Sequence, residues 1–321
     1  MSWQNAPVLR KLTATQLGGK PGAQLWGVDI KGSLYTTYQT TVGGQWSDWR
    51  TAGWNARKDP GPVYELASAQ LEDGRSQLWV LDLKRQLWTI TQDTKGGGWG
   101  EWQGPNWNKP PGNQSLKKIT AAHVKGTTTL WGILDSGALI STNMILPSGV
   151  SPWKDVPKTK EGLPWLEVSA CTQGDGRGAF WGIDSKMQLW GMAQQANGEW
   201  PSNGWTGPNW LDAPKVRNIA AVEMANQKGS CIWAITDDFK IIINEQSAPG
   251  KDSWFGWSAG DFADKLRAYE ITAAVQNNKL GRVWVVSLEQ TLHSMGMQLS
   301  SPVDWEKYWT PPAPEPPPIK K

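Results

Sequence analysis

Six copies of one pattern, each about fifty residues long, fill almost the whole chain. Each copy is anchored by an apolar residue followed by tryptophan: Leu25-Trp26, Leu78-Trp79, Leu130-Trp131, Phe180-Trp181, Ile232-Trp233 and Val283-Trp284. Eight residues after each of these tryptophans stands an aliphatic residue: Leu34, Leu87, Leu139, Leu189, Ile241 and Leu292. Constant spacing within a copy and variable spacing between copies indicate small repeated sheets joined by loops of different length.

Each copy contains the signals of four short antiparallel strands. The first strand is apolar and small, as in Ile119-Thr120-Ala121-Ala122, and the second carries the anchor tryptophan. The third alternates from its aliphatic residue, as in residues 34–39, and a glycine-rich turn leads to a fourth, as in residues 43–49. The sequence therefore predicts an all-β fold, a six-bladed β-propeller of four-stranded antiparallel blades with about 50 residues per repeat.

The repeats predict a single propeller domain over residues 1–309. Trp3 precedes the first inner strand as Trp210 and Phe262 precede later ones, so we expect the ring to close by side-chain packing between the first and last blades. Residues 310–321 form a proline-rich segment, for which we expect an extended polyproline II tail. A disordered end and a docking peptide for an aromatic groove are both open for this tail.

Composition excludes several classes of protein. The net charge is only +3, with basic and acidic residues intermixed, which does not favour nucleic acid binding. No apolar run typical of a signal peptide lies between Met1 and Leu12, and no stretch approaches the ~20 apolar residues of a membrane helix. We expect a protein that is cytoplasmic or released without a signal peptide. Cys171 and Cys231 are expected to be buried thiols rather than a disulfide.

Tryptophan is in large excess, with 24 residues against 5 Tyr and 4 Phe. The anchor position is filled by tryptophan in all six copies, so we expect these rings to hold the fold. Other aromatic and amide residues recur in some copies only, which makes them candidates for ligand binding. The candidate set is Tyr35, Gln39, Trp46, Trp49, Trp54, Trp88, Gln92, Trp99, Trp102, Asn106, Trp107, Trp190, Gln194, Trp200, Trp205, Asn209 and Trp210.

These candidates suit a sugar site, because an indole stacks on the apolar face of a pyranose while amides satisfy hydroxyls. The Asn-Trp loops among them join an outer strand to the next inner strand and are therefore expected at the seams between blades. The competing interpretation is that the rings only staple adjacent blades together. Copies 1, 2 and 4 keep the full set and copy 3 has lost most of it, so fewer than six sites are expected.

The first copy contains Leu-Trp-Gly-Val-Asp, then Leu-Tyr, then a Gln, and finally Gly-Gly-Gln-Trp-Ser-Asp-Trp. This unit resembles the repeats of Trp-rich bacterial β-propeller lectins. The likeness is to Photorhabdus-type fucose-binding lectins and, more distantly, to tectonin and tachylectin propellers. It implies multivalent binding of fucose or O-methylated glycans between blades, without catalysis, through Gln39, Gln92, Gln194, the paired outer-strand tryptophans and the Asn-Trp loops. The Photorhabdus-type lectins have seven blades, whereas six copies are counted here.

Enzymatic and metal sites are not favoured by the sequence. His123 and His293 lie in different copies, and the recurring Asp29, Asp82, Asp135 and Asp184 introduce turns rather than form a catalytic pair. No His/Cys cluster has ligand spacing, so we expect no metal and no cofactor. The predicted function is a multivalent lectin, with a protein-interaction scaffold or an enzyme on a degenerate propeller as alternatives. The expected partners are glycans or glycoconjugates, without nucleic acid or membrane insertion, and homo-oligomerisation is left open.

Overall fold

The structure, a computed structural model, describes residues 6–18, 22–41, 45–51, 59–105, 107–124, 126–145, 149–173, 175–195, 197–201, 204–224, 229–247, 253–259, 266–276, 280–298, 304–305 and 309–310. Within these ranges the regular structure is β-strand, apart from the single-turn 3-10 helices Pro111–Asn113 and Trp210–Asp212. The described part of the chain contains no helix long and apolar enough to cross a membrane.

The strands fall into six antiparallel sheets, one for each sequence copy. The first three sheets contain β1 (Leu9–Gln16), β2 (Ala23–Asp29), β3 (Leu34–Tyr38), β4 (Arg50–Thr51); β5 (Val63–Gln70), β6 (Ser76–Asp82), β7 (Leu87–Thr91); and β8 (Leu116–Val124), β9 (Thr127–Leu134), β10 (Leu139–Ile145), β11 (Gly149–Val150), β12 (Lys154–Asp155). The last three contain β13 (Trp165–Thr172), β14 (Gly178–Asp184), β15 (Leu189–Ala193); β16 (Val216–Met224), β17 (Gly229–Thr236), β18 (Ile241–Glu245); and β19 (Ala268–Val275), β20 (Gly281–Ser287), β21 (Leu292–Gln298), β22 (Asp304–Trp305).

The six sheets form a closed ring, because each inner strand contacts the inner strands of both neighbouring sheets, including β1 with β19. This confirms the predicted six-bladed propeller class. The predicted four short strands are found in blades 1 and 6, and blade 3 has five, whereas in blades 2, 4 and 5 the outer strand is reduced to single bridges such as Gln92↔Trp99 and Gly191↔Thr206. The outer segments contain glycine and proline, and the tryptophan rings of these segments pack onto the blade. Few of their backbone groups can therefore form the regular hydrogen bonds of a full strand.

The anchor tryptophans join each blade to the next. Trp26 of blade 1 packs among Leu66 and Leu78 of blade 2, and Trp284 of blade 6 packs among Leu12 and Leu25 of blade 1. The other four anchors repeat this arrangement, and all six are 0–3% exposed. Burying one such ring stabilises the fold by up to about 4–6 kcal/mol, counted as area removed from water. The predicted structural role of the anchors is therefore confirmed.

Tight turns connect the second and third strands on one face of the propeller, called here the lower face. In blade 2, Asp82 Oδ1 accepts from the backbone N–H groups of Lys84 and Gln86 at 2.8 and 2.9 Å. Asp29 and Asp184 cap the corresponding turns of blades 1 and 4 in the same way. The predicted turn role is confirmed for these three aspartates. Asp135 is different, because it lies exposed one position later in its turn and pairs with Arg85.

A ring of charged and amide side chains surrounds the central axis, one from the equivalent position of each inner strand: Lys11, Glu65, Lys118, Glu167, Asn218 and Glu270. Lys11 Nζ lies 3.0 Å from Glu270 and 3.8 Å from Glu65, and so connects blades 6, 1 and 2. Tyr269 Oη donates to Leu9 O at 2.6 Å beside this contact. The first and last blades are thus held together by side chains, while β22 of the last blade pairs with its own β21.

Candidate functional site

The three predicted glutamines are part of the blade framework. Gln39 Oε1 accepts from Ala23 N at 3.0 Å, Gln92 Oε1 from Ser76 N at 2.8 Å, and Gln194 Oε1 from Gly178 N at 2.7 Å. All three side chains are buried, and Gln246 makes the same contact with Ser230 N in blade 5. Each amide ties the end of a third strand to the start of the second strand. Each carbonyl oxygen thus accepts one backbone hydrogen bond within its own blade, and Gln194 in addition borders a cavity between blades 3 and 4.

The aromatic residues nine positions after the anchor also serve the fold. Trp88 Nε1 donates to Asp82 Oδ2 at 3.0 Å, and Trp190 Nε1 donates to Asp184 Oδ2 at 2.8 Å. Both rings are buried, so neither offers a face to a ligand. Tyr35 is half-buried, with its hydroxyl 3.4 Å from Asp29 Oδ2. The indole N–H groups of Trp88 and Trp190 complete the caps of the turns, which gives both residues a role in the fold.

The paired outer-strand tryptophans largely fill interfaces between blades. Trp46 meets the anchor Trp284 edge-to-face at 5.7 Å between ring centroids, and Trp99 meets Trp26 at 5.6 Å. Trp102 and Trp205 are buried, and Trp205 Nε1 donates to Pro157 O at 2.7 Å. The half-buried Trp49 joins the cluster between blades 6 and 1. This arrangement matches the competing interpretation, in which the rings staple adjacent blades.

The structure describes only some of the predicted residues in the Asn-Trp loops. Trp54 and Asn106 lie outside the described residues. Trp107 is half-buried against the cluster between blades 2 and 3, and Asn209 is exposed with a positive φ of 57°. Trp210 is half-buried and borders a cavity. Of the described loop residues, Trp210 is thus the one whose ring reaches open space beside other aromatic groups.

A cavity of about 580 Å³ lies between blades 3 and 4. We call it the 3/4 seam, and its polar and aromatic lining includes Thr129, Asn143, Lys154, Asn197, Glu199 and Trp200. Thr129 Oγ1 donates to Asn143 Oδ1 at 2.9 Å, while Asn197 Nδ2 donates to Glu199 Oε2 at 3.3 Å. Trp200 is half-buried and stands edge-on to Phe180 at 6.3 Å between centroids. The cavity therefore combines an indole with hydroxyl, amide and charged groups from both blades.

A second cavity of about 430 Å³ lies between blades 4 and 5 and is called the 4/5 seam. Three indoles line it, with Trp210 and Trp254 nearly perpendicular at 4.9 Å and Trp254 meeting Trp181 at 6.0 Å. Gln246 Nε2 donates to Gln173 Oε1 at 3.1 Å along the same wall. The lining carries no charged side chain. This seam therefore presents aromatic faces and uncharged polar groups, which suits a neutral ligand.

Both cavities differ from what the repeat pattern predicts. Asn143, Lys154, Asn197, Glu199 and Trp254 border them but are absent from the candidate set. Blade 3, expected to be depleted, supplies most of the lining of the 3/4 seam, chiefly through its second, third and outer strands. A seam takes residues from two blades, so scoring each sequence copy by itself conceals such a site. Trp254 was identifiable, since it occupies the same outer-strand position as Trp99.

The described residues offer little for catalysis or metal binding. His123 and His293 contact Thr128 and Thr291, and burial lowers the pKa of both imidazoles. Within the described ranges no group of three or more His, Cys, Asp or Glu side chains is arranged to hold a metal ion. Cys171 and Cys231 are free, buried thiols, as predicted.

The fold is similar to that of solved lectin structures. A fucose-specific lectin from Aleuria aurantia superposes with a TM-score of 0.64 at 12% identity, covering 95% of this chain and 97% of that chain. AofleA from Arthrobotrys oligospora gives 0.66 at 14% identity, covering 95% and 86%. The BP39L lectin from Burkholderia pseudomallei gives 0.57 at 16% identity, covering 92% and 82%. No protein-family model and no curated protein matches the sequence.

These likenesses concern the fold, since all three identities are below 25%. The Aleuria aurantia lectin is described as a six-bladed β-propeller, which agrees with the six sheets and closed ring found here. The architecture predicted from the repeats is therefore supported by both the sheet topology and the solved neighbours.

Proposed function

We propose that this protein is a lectin, which binds carbohydrate without turnover in the 3/4 and 4/5 seams. The observation that carries the proposal is the 4/5 seam, where three indoles border one uncharged cavity of about 430 Å³. That volume lies within the roughly 300–1,000 Å³ typical of small-molecule sites and exceeds what one monosaccharide needs.

The 4/5 seam fits the chemistry of a neutral sugar. The half-buried rings of Trp210 and Trp254 stand nearly perpendicular, so a pyranose stacked on one ring would meet the edge of the other. The exposed Thr206 hydroxyl adds a donor and acceptor at this cavity, while the buried amides of Gln173 and Gln246 bond to each other along the same wall. Hydroxyl groups both donate and accept, so such mixed polar groups suit them.

The 3/4 seam offers a second, more polar site. Trp200 supplies one aromatic surface, and Asn143 and Asn197 supply amides from opposite blades. Lys154 and Glu199 add charge at the same cavity. Two unlike sites on one ring support the proposal of multivalent binding, in which weak sites of ~0.1–1 mM act together on a glycan-coated surface.

L-Fucose is the first sugar to test. The Aleuria aurantia lectin is named fucose-specific, and solved structures hold it with α-methyl-L-fucoside and Fucα1-6GlcNAc. SapL1, with the same fold, is also described with α-methyl fucoside. We extend this ligand class to the present chain as part of the proposal.

Titration calorimetry with methyl fucoside, followed by a glycan array, tests the proposal. We expect Trp254→Ala to weaken the 4/5 seam about tenfold, the loss of one stacking contact. Asn143→Ala should weaken the 3/4 seam alone and leave the rest of the titration unchanged.

Trp99→Ala is the matched control, because Trp99 and Trp254 occupy equivalent outer-strand bridges. It removes the same ring from a blade interface and should lower the melting temperature without changing sugar affinity. No heat of binding with any sugar at millimolar concentration would overturn the proposal. Equal losses of affinity from Trp99→Ala and Trp254→Ala would also contradict the assignment to the 4/5 seam.

A further inference from the structure

A leucine in the left-handed backbone conformation lies at the edge of the 4/5 seam. Leu211 has φ 51° and ψ 47°, borders the cavity and is 41% exposed. A bulky side chain rarely adopts this conformation, because its Cβ crowds the backbone carbonyl oxygen. Among the described residues, the apolar cluster between blades 4 and 5 includes Trp210 and Trp257 but not Leu211. Packing of the fold therefore does not account for a leucine at this position.

The equivalent loop of blade 2 shows which residue type the fold favours here. Residues 104–107 and 207–210 share the sequence Gly-Pro-Asn-Trp, and the next residue is Asn108 in one loop and Leu211 in the other. Asn108 also has a positive φ, 45°, which asparagine adopts more readily than leucine. Its Nδ2 donates to Thr142 Oγ1 at 3.0 Å, which ties the loop of blade 2 to blade 3. Leu211 makes no such bond and instead presents an aliphatic group to the cavity.

The loop that carries Leu211 is fixed to the blades on both sides of the seam. Trp257 Nε1 of blade 5 donates to Trp210 O at 3.4 Å. The Trp210 ring lies 6.0 Å from Trp181 of blade 4 and 4.9 Å from Trp254 of blade 5, between ring centroids. A side chain on a fixed loop can contact a ligand without a further loss of chain entropy on binding. Leu211 is thus a preformed part of the cavity edge.

The rest of the 4/5 seam offers few groups to sugar hydroxyls. Met192, Ala193 and Pro201 add aliphatic surface to the three indoles. Among the described lining residues, the one side-chain hydroxyl is that of the exposed Thr206, and the two glutamine amides bond to each other. A sugar hydroxyl pressed against aliphatic groups loses its bonds to water without replacement, which weakens binding. A methyl group at the same place strengthens binding, because it is removed from water.

We propose that the 4/5 seam selects sugars that carry a methyl group, and that Leu211 is the residue in contact with this methyl. The proposal rests on the lectin function and specifies the ligand class of one of its two sites. Deoxy, O-methylated and N-acetylated sugars all present a methyl group beside hydroxyls. We expect no such preference in the 3/4 seam, where Asn143, Lys154 and Glu199 offer polar partners to hydroxyl groups.

Titration calorimetry with matched pairs of methyl glycosides tests the proposal. Every protein in the series carries Asn143→Ala, which weakens the 3/4 seam, so that most of the measured heat comes from the 4/5 seam. The pairs are L-fucoside against L-galactoside, an O-methylated galactoside against its parent, and N-acetylglucosaminide against glucoside, which together distinguish the three carriers of the methyl group. In at least one pair we expect the methyl-bearing sugar to bind about fourfold more tightly, the effect of one buried methyl.

Substitutions at two equivalent loop positions separate ligand contact from folding. Leu211→Asn should reduce the preference to less than about twofold, while the melting temperature stays equal or rises, because asparagine suits the positive φ. Leu211→Met keeps an apolar side chain of similar size and should retain the preference. Asn108→Leu is the matched control: it should lower the melting temperature by removing the bond to Thr142 and leave the preference unchanged.

The possible outcomes distinguish this proposal from the lectin function on which it rests. Equal affinities within all three pairs, or an undiminished preference in Leu211→Asn, would overturn the role of Leu211 while sugar binding stands. A lower melting temperature of Leu211→Asn, with equal losses of affinity for both members of a pair, would assign Leu211 to the fold and would also overturn the proposal. Binding of no sugar in any pair would contradict the lectin function, and the selection of methyl groups with it.

Discussion

Two buried glutamates at equivalent positions of the central ring should give opposite pH signatures. Burial raises the pKa of Glu270, and the nearby Glu65 and Glu167 add to this against the attraction of Lys11 and Lys118. For Glu65, burial also acts upward, but Lys11, Lys118 and the Leu66 N–H together outweigh it and hold the pKa below its ordinary value of 4.5. Replacing each by glutamine removes one titrating group without changing its size.

The sign follows from which state binds protons more tightly. The raised pKa of Glu270 contributes stability that is fully present below pH 4.5 and is lost as pH rises through the folded-state pKa. Glu270→Gln should therefore gain stability relative to wild type as pH rises above 4.5. The lowered pKa of Glu65 contributes stability above pH 4.5 that is lost as pH falls through its folded-state pKa. Glu65→Gln should therefore lose stability relative to wild type as pH rises toward 4.5.

The contacts around the two carboxylates set the size of the effects. Glu65 lies between two lysines, 3.4 Å from Lys118 Nζ and 3.8 Å from Lys11 Nζ, whereas Glu270 has one lysine at 3.0 Å and the amide of Asn218. The ring holds two lysines and three glutamates, a net charge of −1, so Glu270→Gln brings it to zero. We expect Glu65→Gln to cost about 2–4 kcal/mol at pH 7 and Glu270→Gln about 0–1 kcal/mol.

Urea unfolding at intervals between pH 3 and pH 8 measures both differences, with tryptophan fluorescence as the probe. If the free energy of unfolding, relative to wild type, changes with pH in opposite directions for the two variants, the lowered pKa of Glu65 and the raised pKa of Glu270 are supported. Parallel pH dependences for the two variants would contradict the opposite pKa shifts of Glu65 and Glu270, because they would mean that the lysines stabilise both carboxylates equally.

Two further predictions concern the framework. Asp184→Ala removes the carboxylate that accepts hydrogen bonds from two turn amides and the Trp190 indole, and should lower the free energy of urea unfolding by about 2–4 kcal/mol. As the control, Asp135→Ala removes an exposed carboxylate and should change this free energy by less than about 1 kcal/mol. Equal losses would contradict the capping role of Asp184. Cys171 and Cys231 should resist Ellman's reagent at pH 8 until the protein unfolds, because burial raises the pKa of Cys171 to about 12 and that of Cys231 well above its ordinary value. If the native protein reacted as fast as a free thiol, the two cysteines would have to be accessible to solvent in the folded state.

The anchor spacing was sufficient to predict the fold class. Trp26 and its five equivalents recur at the same place within each copy because each must fill the same interface to the next blade, and this requirement is visible in one sequence. The four-stranded blade was predicted less well, because an outer segment such as residues 96–103 bonds to the sheet at only two bridges. Sequence alternation does not reveal how much of such a segment is paired.

The candidate site was predicted less well than the fold, for physical reasons. Presence in some copies only does not by itself indicate ligand contact, because Gln92 and Trp190 are used by the fold in the copies that contain them. Blade 5 keeps the same bond with Gln246, although it lacks the aromatic residue after its anchor. Lys154 and Trp254 line cavities that each form between two adjacent blades. Which residues of two blades face each other depends on the folded structure and is not visible in a single sequence copy.

The central ring illustrates the same limit. Lys11, Glu65, Lys118 and Glu270 each directly precede the first apolar residue of an inner strand, a position that the repeat alignment contains but that carries no common residue type. Alternating charge at equivalent positions becomes meaningful only once the ring is closed, when opposite charges from adjacent blades meet.

A crystal soaked with methyl fucoside most directly tests whether the seams are the carbohydrate sites. We expect sugar density in the 4/5 seam, with a pyranose face against Trp210 or Trp254, and a second sugar beside Trp200 in the 3/4 seam. Density confined to other surfaces, or both seams empty in a crystal whose protein binds the sugar in solution, would contradict it.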